Sequence, residues 1–160
     1  MNIRRGKIQD LKEITAIEAE CFPASEAATE ESFKGRLTVY PDYFWILEED
    51  GKIVSFVNGM VTDSPNLSDE MYANPHLHNP EGEWQMVFGV NTLPDYRKRG
   101  YAEKLLNEMI KDAKDKKRKG VVLTCKYALV HYYSKFGFKN EGVSESTHGG
   151  VVWYEMRLVF

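Results

Sequence analysis

Residues 83–113 read Glu83-Trp84-Gln85-Met86-Val87-Phe88-Gly89-Val90-Asn91-Thr92-Leu93-Pro94-Asp95-Tyr96-Arg97-Lys98-Arg99-Gly100-Tyr101-Ala102, followed by Glu103-Lys104-Leu105-Leu106-Asn107-Glu108-Met109-Ile110-Lys111-Asp112-Ala113. The stretch opens as a strand. Trp84, Met86, Phe88 and Val90 alternate with Gln85, Val87 and Gly89, which predicts one largely buried strand over 84–91. It closes as a helix, with Ala102, Leu105, Leu106, Met109, Ile110 and Ala113 spaced to form one apolar stripe. Between the two lies a basic turn, Arg97-Lys98-Arg99-Gly100.

A strand feeding a basic glycine turn and then a helix suits a phosphate or pyrophosphate. The unpaired N–H groups of the first helical turn face the anion, and the helix dipole favours negative charge there. Gly100 and the small Ala102 let the backbone approach closely. Read alone, the turn is glycine beside charges at a helix start, which is more often plain punctuation. It is not a nucleotide P-loop, which has two spaced glycines followed by Lys and Ser or Thr, and it lacks the three glycines of a dinucleotide fingerprint. What it presents is Arg97-x-x-Gly100-x-Ala102. This pattern resembles the Q/R-x-x-G-x-G/A acyl-CoA signature of the GNAT N-acetyltransferases.

The rest of the chain sets bounds. With 160 residues, 42% of them hydrophobic and 12% aromatic, it can bury one good core, so we expect a single domain over 1–160. A formal net charge of -3 argues against nucleic acid as the main partner. No apolar run approaches the ~18 residues of a membrane span. Arg4, Arg5 and Lys7 are followed by no hydrophobic segment, so no secretory leader is expected. Cys21 and Cys125 are too few and too isolated for a disulfide framework or a metal site. A cytoplasmic protein is the expectation.

Taken in order, residues 1–7 read as an edge strand. Asp10 and Glu13 predict a capping box for a helix whose apolar face is Leu11, Ile14, Ile17 and Cys21, stopped by Pro23. A small-residue loop around Glu26 follows, and Thr29 caps a second helix that buries Phe33 and Leu37. Two strands, 43–48 and 53–61, flank Asp50-Gly51, a hairpin signal. The connection 62–82 is long, polar and rich in proline, as functional loops often are. Its His76 and His78 lack a third ligand, so no metal is expected. After the organising helix comes a basic run, Lys111 to Lys119, read as a solvated last turn ended by Gly120. Val121–Cys125 predicts a buried strand, 128–136 a helix closed by Gly137, and 138–143 and 151–160 two more strands. The order predicts an α/β fold with helices flanking a mixed, mostly antiparallel sheet. The helix linking the strands at 84–91 and 121–125 makes them parallel, and ligands of open sheets bind where such strands splay. The helix over 128–136 starts at that end, so its Tyr133 can project toward the same cleft as the basic turn; a core or surface aromatic is the other reading.

Here a second resemblance enters. The run Val122 to Phe138, with Ala128-Leu129-Val130, Tyr133 and Phe136-Gly137-Phe138, looks like the arylalkylamine branch of GNAT. The similarity covers roughly residues 84–138 and, more loosely, the whole chain. It implies a GNAT-like fold with a splayed parallel strand pair, and acetyl-CoA as co-substrate. It implies that Tyr133 is the general acid and that the backbone of Arg97, Lys98, Arg99, Gly100, Tyr101 and Ala102 binds the CoA pyrophosphate. It further implies that Phe88 and Val90 pair with the pantetheine arm, one N–H there polarising the thioester carbonyl. The chemistry agrees with this assignment: a fixed donor stabilises the developing oxyanion, and a phenol can protonate the leaving thiolate.

The departure from the family lies on the strand before the turn. Vertebrate members place two histidines there to deprotonate the amine; here the positions are Trp84 and Met86. The remaining base candidate is Glu26, whose Phe-Pro-x-x-Glu setting resembles the loop glutamate of insect dopamine-type relatives; a solvated loop carboxylate is the other reading. The acceptor is expected to be a small arylalkylamine or polyamine, entering between the 23–29 loop and the 63–82 connection. Asp63, Asp69 and Glu70 would attract the cation, and Leu67, Met71 and Tyr72 would form an apolar wall. A peptide N-terminus or lysine is the rival acceptor, and a non-catalytic acyl-CoA-binding module is the alternative of another class. Either a monomer or a homodimer is compatible with the sequence.

Overall fold

The computed structural model describes all 160 residues. The first half runs β1 (Asn2–Arg5), α1 (Leu11–Cys21), α2 (Glu30–Val39), β2 (Phe44–Glu49), β3 (Lys52–Asn58), β4 (Val61–Thr62) and α3 (Asp69–Ala73). The second runs β5 (Trp84–Val87), β6 (Gly89–Thr92), α4 (Tyr101–Asp115), β7 (Gly120–Cys125), α5 (Val130–Ser134), β8 (Lys139–Val143) and β9 (Tyr154–Val159). The strands form two sheets, ordered β1-β2-β3-β6 and β4-β5-β7-β9-β8. Every pairing is antiparallel except β5 with β7, so the mixed, mostly antiparallel sheet with one parallel pair is the observed architecture.

Local chemistry explains the early elements. Asp50 and Gly51 both take positive φ, 53° and 75°, the left-handed pair that a two-residue hairpin between right-twisted strands requires. Thr29 Oγ1 accepts from the Ser32 N–H at 3.1 Å and starts α2, which buries Phe33 and Leu37. The expected Asp10–Glu13 capping box does not form. Asp10 is buried and accepts from both ends of the Arg4 guanidinium, at 2.8 Å each, and from the Lys7 N–H. A bidentate charged pair outweighs a single helix N–H. Glu13 instead accepts from the Ile53 N–H at 2.9 Å, fixing α1 to the hairpin.

Helix α4 lies against β2, β3, β6 and β7. Its buried stripe is Tyr101, Leu105, Leu106, Met109 and Ala113, with Ala102 and Ile110 half-buried at its margins. Each large apolar side chain so buried contributes about 1.5–3 kcal/mol. No helix in the molecule is long and apolar enough to cross a membrane.

Two expectations at the end of this helix are corrected. Gly120 does not stop it; the helix ends at Asp115, and Lys117 at φ 59° makes the reversal. Gly120 opens β7, where a Cβ would lie 2.0 Å from the Leu158 carbonyl oxygen, so close strand packing is what selects glycine. The basic run is also not uniformly solvated. Arg118 is buried, donating to the Pro80 and Gly82 carbonyls at 3.1 and 2.6 Å and to the Tyr43 hydroxyl at 3.1 Å. It thereby pins the far end of the 62–82 connection. Within that connection His78 lies against the rings of Tyr40 and Tyr43 and accepts from the Val61 N–H.

The strand expected over 84–91 is broken at Phe88. Up to Val87 it pairs in parallel with β7, the last rung being Val87 opposite Leu123. From Gly89 onward it pairs antiparallel with β3 in the other sheet. The residue between belongs to neither ladder, and past it the two halves of the molecule part.

Candidate active site

Beyond the Val87–Leu123 rung, β6 follows β3 while β7 stays with β9. A cavity of about 470 Å³ fills the divergence. Residues 87–90 form one wall and residues 123–126 the other, while α5 presents Tyr133 and the opposite side is closed by α1, α2 and the loop between them.

Backbone donors line the divergence unequally. The Phe88 N–H is taken by the Asn58 carbonyl at 2.8 Å, so it cannot polarise a thioester; Phe88 contributes its ring to the wall. The Leu93 N–H reaches the Val54 carbonyl, in register with the β3–β6 ladder. By antiparallel alternation the Val90 N–H then faces away from β3, into the opening. Of the two strand residues singled out in the sequence, Val90 keeps the free donor.

At the end of β6 the basic turn has Lys98 and Gly100 in the left-handed region, at φ 64° and 77°. This conformation leaves the N–H groups of residues 98–102 without an acceptor in the chain, grouped at the start of α4. Such a nest of amides at a 15-residue helix fits a pyrophosphate. The side chains do less than their charges imply. Arg97 turns back to the Thr92 carbonyl at 2.9 Å and touches Cys21 Sγ, while Arg99 lies over Tyr96 and 3.7 Å from Glu49. Tyr101 buries its ring and donates its hydroxyl to Glu49, and half-buried Ala102 leaves the approach clear. All three cations of the turn are exposed, and only the Lys98 side chain makes no hydrogen bond, ion pair or ring contact.

Tyr133 is 7% exposed, edge-on to Tyr132 and Phe138. Burial pushes its phenol well above the ordinary range, so it is protonated at neutral pH. Cys125, in the same wall, reports what this environment does to sulfur: burial raises its thiol to about 11. A thiolate released here would be equally disfavoured and would draw a proton from the nearest donor.

Glu26 lines the cavity as expected, but it is not free. Both carboxylate oxygens lie within 3.0 Å of the Lys126 ammonium, and its carbonyl is 2.7 Å from His148 Nε2. A carboxylate already bonded to an ammonium is a weak anchor for a second cation. The second loop also differs from expectation. Asp63 is held by Asn79 Nδ2, Glu70 lies outside the cavity, and Leu67 and Met71 are in the core. Asp69 reaches the rim but is engaged by Ser146 Oγ and the Thr147 N–H. Tyr72 does form wall.

Sequence reasoning missed four residues that line the cavity. His148 and Trp153 come from the 144–153 connection; the strand expected over 151–160 begins only at Tyr154, which leaves Trp153 to the cavity wall. Arg36 and Glu18 lie on buried helix faces. Glu18 had a readable signal: it follows Ile14 and Ile17 and precedes Cys21, one carboxylate on an otherwise apolar stripe. Trp84 and Met86, at the positions of the family's histidine pair, are buried in the core.

An α/β sheet that splays beside a nest of amides, with a buried phenol in the gap, defines an acyltransferase of the class that takes its acyl group from a CoA thioester. A model of the acetyltransferase (GNAT) family matches residues 11–138. The chain is 26% identical over 153 residues to the serotonin N-acetyltransferase of Mesocricetus auratus, covering 93% of this chain and 72% of that protein. The loading GNATL domain of CurA from Lyngbya majuscula superposes with a TM-score of 0.84 at 22% identity, over 99% of this chain and 96% of that one. The GphF GNAT-like decarboxylase, solved with isobutyryl-CoA, superposes with a TM-score of 0.83 at 20% identity over 99% of each. At such identities the two structures speak for the fold. The chain belongs to the acetyltransferase (GNAT) family and is an acetyl-CoA-dependent N-acetyltransferase.

Proposed function

We propose that this one domain, spanning 1–160, transfers acetyl from acetyl-CoA to the primary amine of a small arylalkylamine. The observation that carries the small acceptor is the way three loops are tied into one rim. His148 stacks on Tyr72 at 5.0 Å and 19° and bonds to the Glu26 carbonyl, while Asp69 holds Ser146 and Thr147. The 23–29 loop, α3 and the 144–153 connection are thus joined over the cavity, where a peptide acceptor would need an open groove. Phe22, Tyr72, Phe88 and Trp153 in the walls suit an aromatic acceptor over a polyamine.

Acetyl-CoA, when bound, supplies a thioester with an electrophilic carbonyl carbon and a sulfur leaving group. The amides of residues 98–102 hold its pyrophosphate. The Val90 N–H pairs with the pantetheine arm or polarises the carbonyl, in the low-dielectric setting where a fixed donor is worth most. Tyr133 gives its proton to sulfur as the C–S bond breaks and regains one from the nitrogen as the amide forms.

The test is an acceptor panel read by free CoA release, comparing 2-phenylethylamine, tryptamine, spermidine and short peptides. Turnover of the aryl amines above the others is the expected result. Preference for peptides over every small amine overturns the reading.

A further inference from the structure

Three buried polar atoms without a hydrogen-bond partner converge on the space above Gly89, which together with Glu18 lines the cavity. Glu18 Oε1, Asn58 Nδ2 and Asn91 Nδ2 each lack a hydrogen bond. A Cβ built on Gly89 would lie 3.4, 3.6 and 3.2 Å from them, so all three surround the space that glycine leaves open. Asn58 and Asn91 are fully buried and Glu18 is 6% exposed. Unsatisfied buried groups are rare and destabilising, and three facing one point is a built site. Two of the three, Glu18 and Asn58, are also fixed from behind. Glu18 Oε2 accepts from the Ala28 N–H at 2.9 Å, and Asn58 Oδ1 accepts from Arg36 at 2.9 Å, which turns its NH₂ toward Glu18.

We propose that Glu18, with Asn58 and Asn91, holds a water over Gly89 that receives the proton of the acceptor's primary alkylammonium. One acceptor and two donor groups match a water's bonding capacity. Gly89 is the residue before Val90, so the water lies beside the donor that would face the thioester carbonyl. The inference rests on the amine-acetylation reading and supplies the base that the buried Trp84 and Met86 cannot.

The proton balance closes. An ammonium that becomes an amide loses two protons: Glu18 takes the first through the water and returns it to solvent, and Tyr133 handles the second. Glu18 is suited to this work because burial raises its pKa, opposed by the Ala28 N–H, by the charge of Arg36 and by the Asn91 side chain beside it. The groups facing it are Arg36 from α2, Tyr72 from α3, His148 from the 144–153 connection, and Cys21 on its own helix. Arg36 makes no ion pair of its own, so the two buried charges balance each other at a distance.

The experiment uses Glu18→Gln, which keeps an acceptor for Ala28, and Gly89→Ala, which fills the cradle without changing charge. Calorimetric binding of 2-phenylethylamine at pH 7 should weaken at least tenfold in Glu18→Gln. kcat/KM for the same amine should fall about 10²-fold or more at pH 7 in both variants. The deficit should shrink toward pH 9.5, where free amine is abundant. Glu26→Gln should show a smaller loss that does not vary with pH. Unchanged amine binding in Glu18→Gln, or a deficit constant from pH 6 to 9.5 in both variants, overturns the proposal while wild-type amine acetylation still stands. A wild type that neither binds nor acetylates any amine of the panel removes the acceptor reading, and the role of Glu18 falls with it.

Discussion

At the scale of single residues, the chemistry turns on groups whose surroundings differ from what their letters imply. Tyr133→Phe keeps the packing against Tyr132 and Phe138 and deletes only the hydroxyl. We expect turnover to fall about 10²–10⁴-fold with acetyl-CoA affinity unchanged, measured by single-turnover CoA release alongside calorimetry. Equal rates would make the phenol a packing residue. Tyr133 was legible because its spacing to Phe136-Gly137-Phe138 is local. The state of Glu26 was not, since its partner Lys126 is a hundred positions away. Glu18 was half legible. A carboxylate on an apolar helical stripe is visible in the sequence, but the asparagines that converge with it come from β3 and β6.

At the scale of elements, the turn at 97–102 and the reversal at 116–119 look alike in composition and behave differently. The first leaves its amides free; the second sends Arg118 inward. Gly100→Glu would combine a left-handed φ of 77° with a negative charge beside those amides. Acetyl-CoA affinity should drop at least tenfold, about 1.4 kcal/mol, by calorimetry on folded protein. Arg118→Leu would strand the Pro80 and Gly82 carbonyls. A loss of about 2–4 kcal/mol is expected from denaturant unfolding. Arg118 was hidden because a run of cations reads as solvated, and nothing local marks the one that caps a distant loop. The break at Phe88 was equally hidden, because the residue fits the period-two alternation on either side of it. Only the competing demands of β3 and β7 for the same strand reveal it.

At the scale of the whole molecule, helices flanking a mixed sheet and a parallel pair that splays were readable from element order and apolar period. The rim that closes the cavity was not, because residues 144–150 have neither periodicity nor a motif and residues 151–153 read as the start of the last strand. Stability should also carry a pH signature from the 62–82 connection. His78 is held neutral against Tyr40 and Tyr43, its pKa lowered from 6.5 to about 4, chiefly by burial and then by Arg118 and Lys116. A group depressed in the folded state protonates first in the unfolded chain, so its contribution is complete above 6.5 and is lost as pH falls toward 4. Melting temperature should decline through that window, and less steeply in His78→Asn, which retains an acceptor for Val61.

The break at Phe88 has a mechanical consequence. One ladder ends and another begins there, and no backbone pairing joins β6 to β7. On the proposed reading, a ligand whose arm takes the Val90 N–H would act as the absent strand, and its binding would be coupled to the stability of both ladders. Acetyl-CoA at a hundred times its Kd should therefore stabilise the fold by about 2.7 kcal/mol. Slowed amide exchange should concentrate at residues 88–91 and 124–126, with the β1–β2–β3 hairpins little changed. An exchange pattern confined to the turn at 98–102 would show instead that the two halves hold their spacing unaided, and that the molecule was assembled before its cofactor arrived.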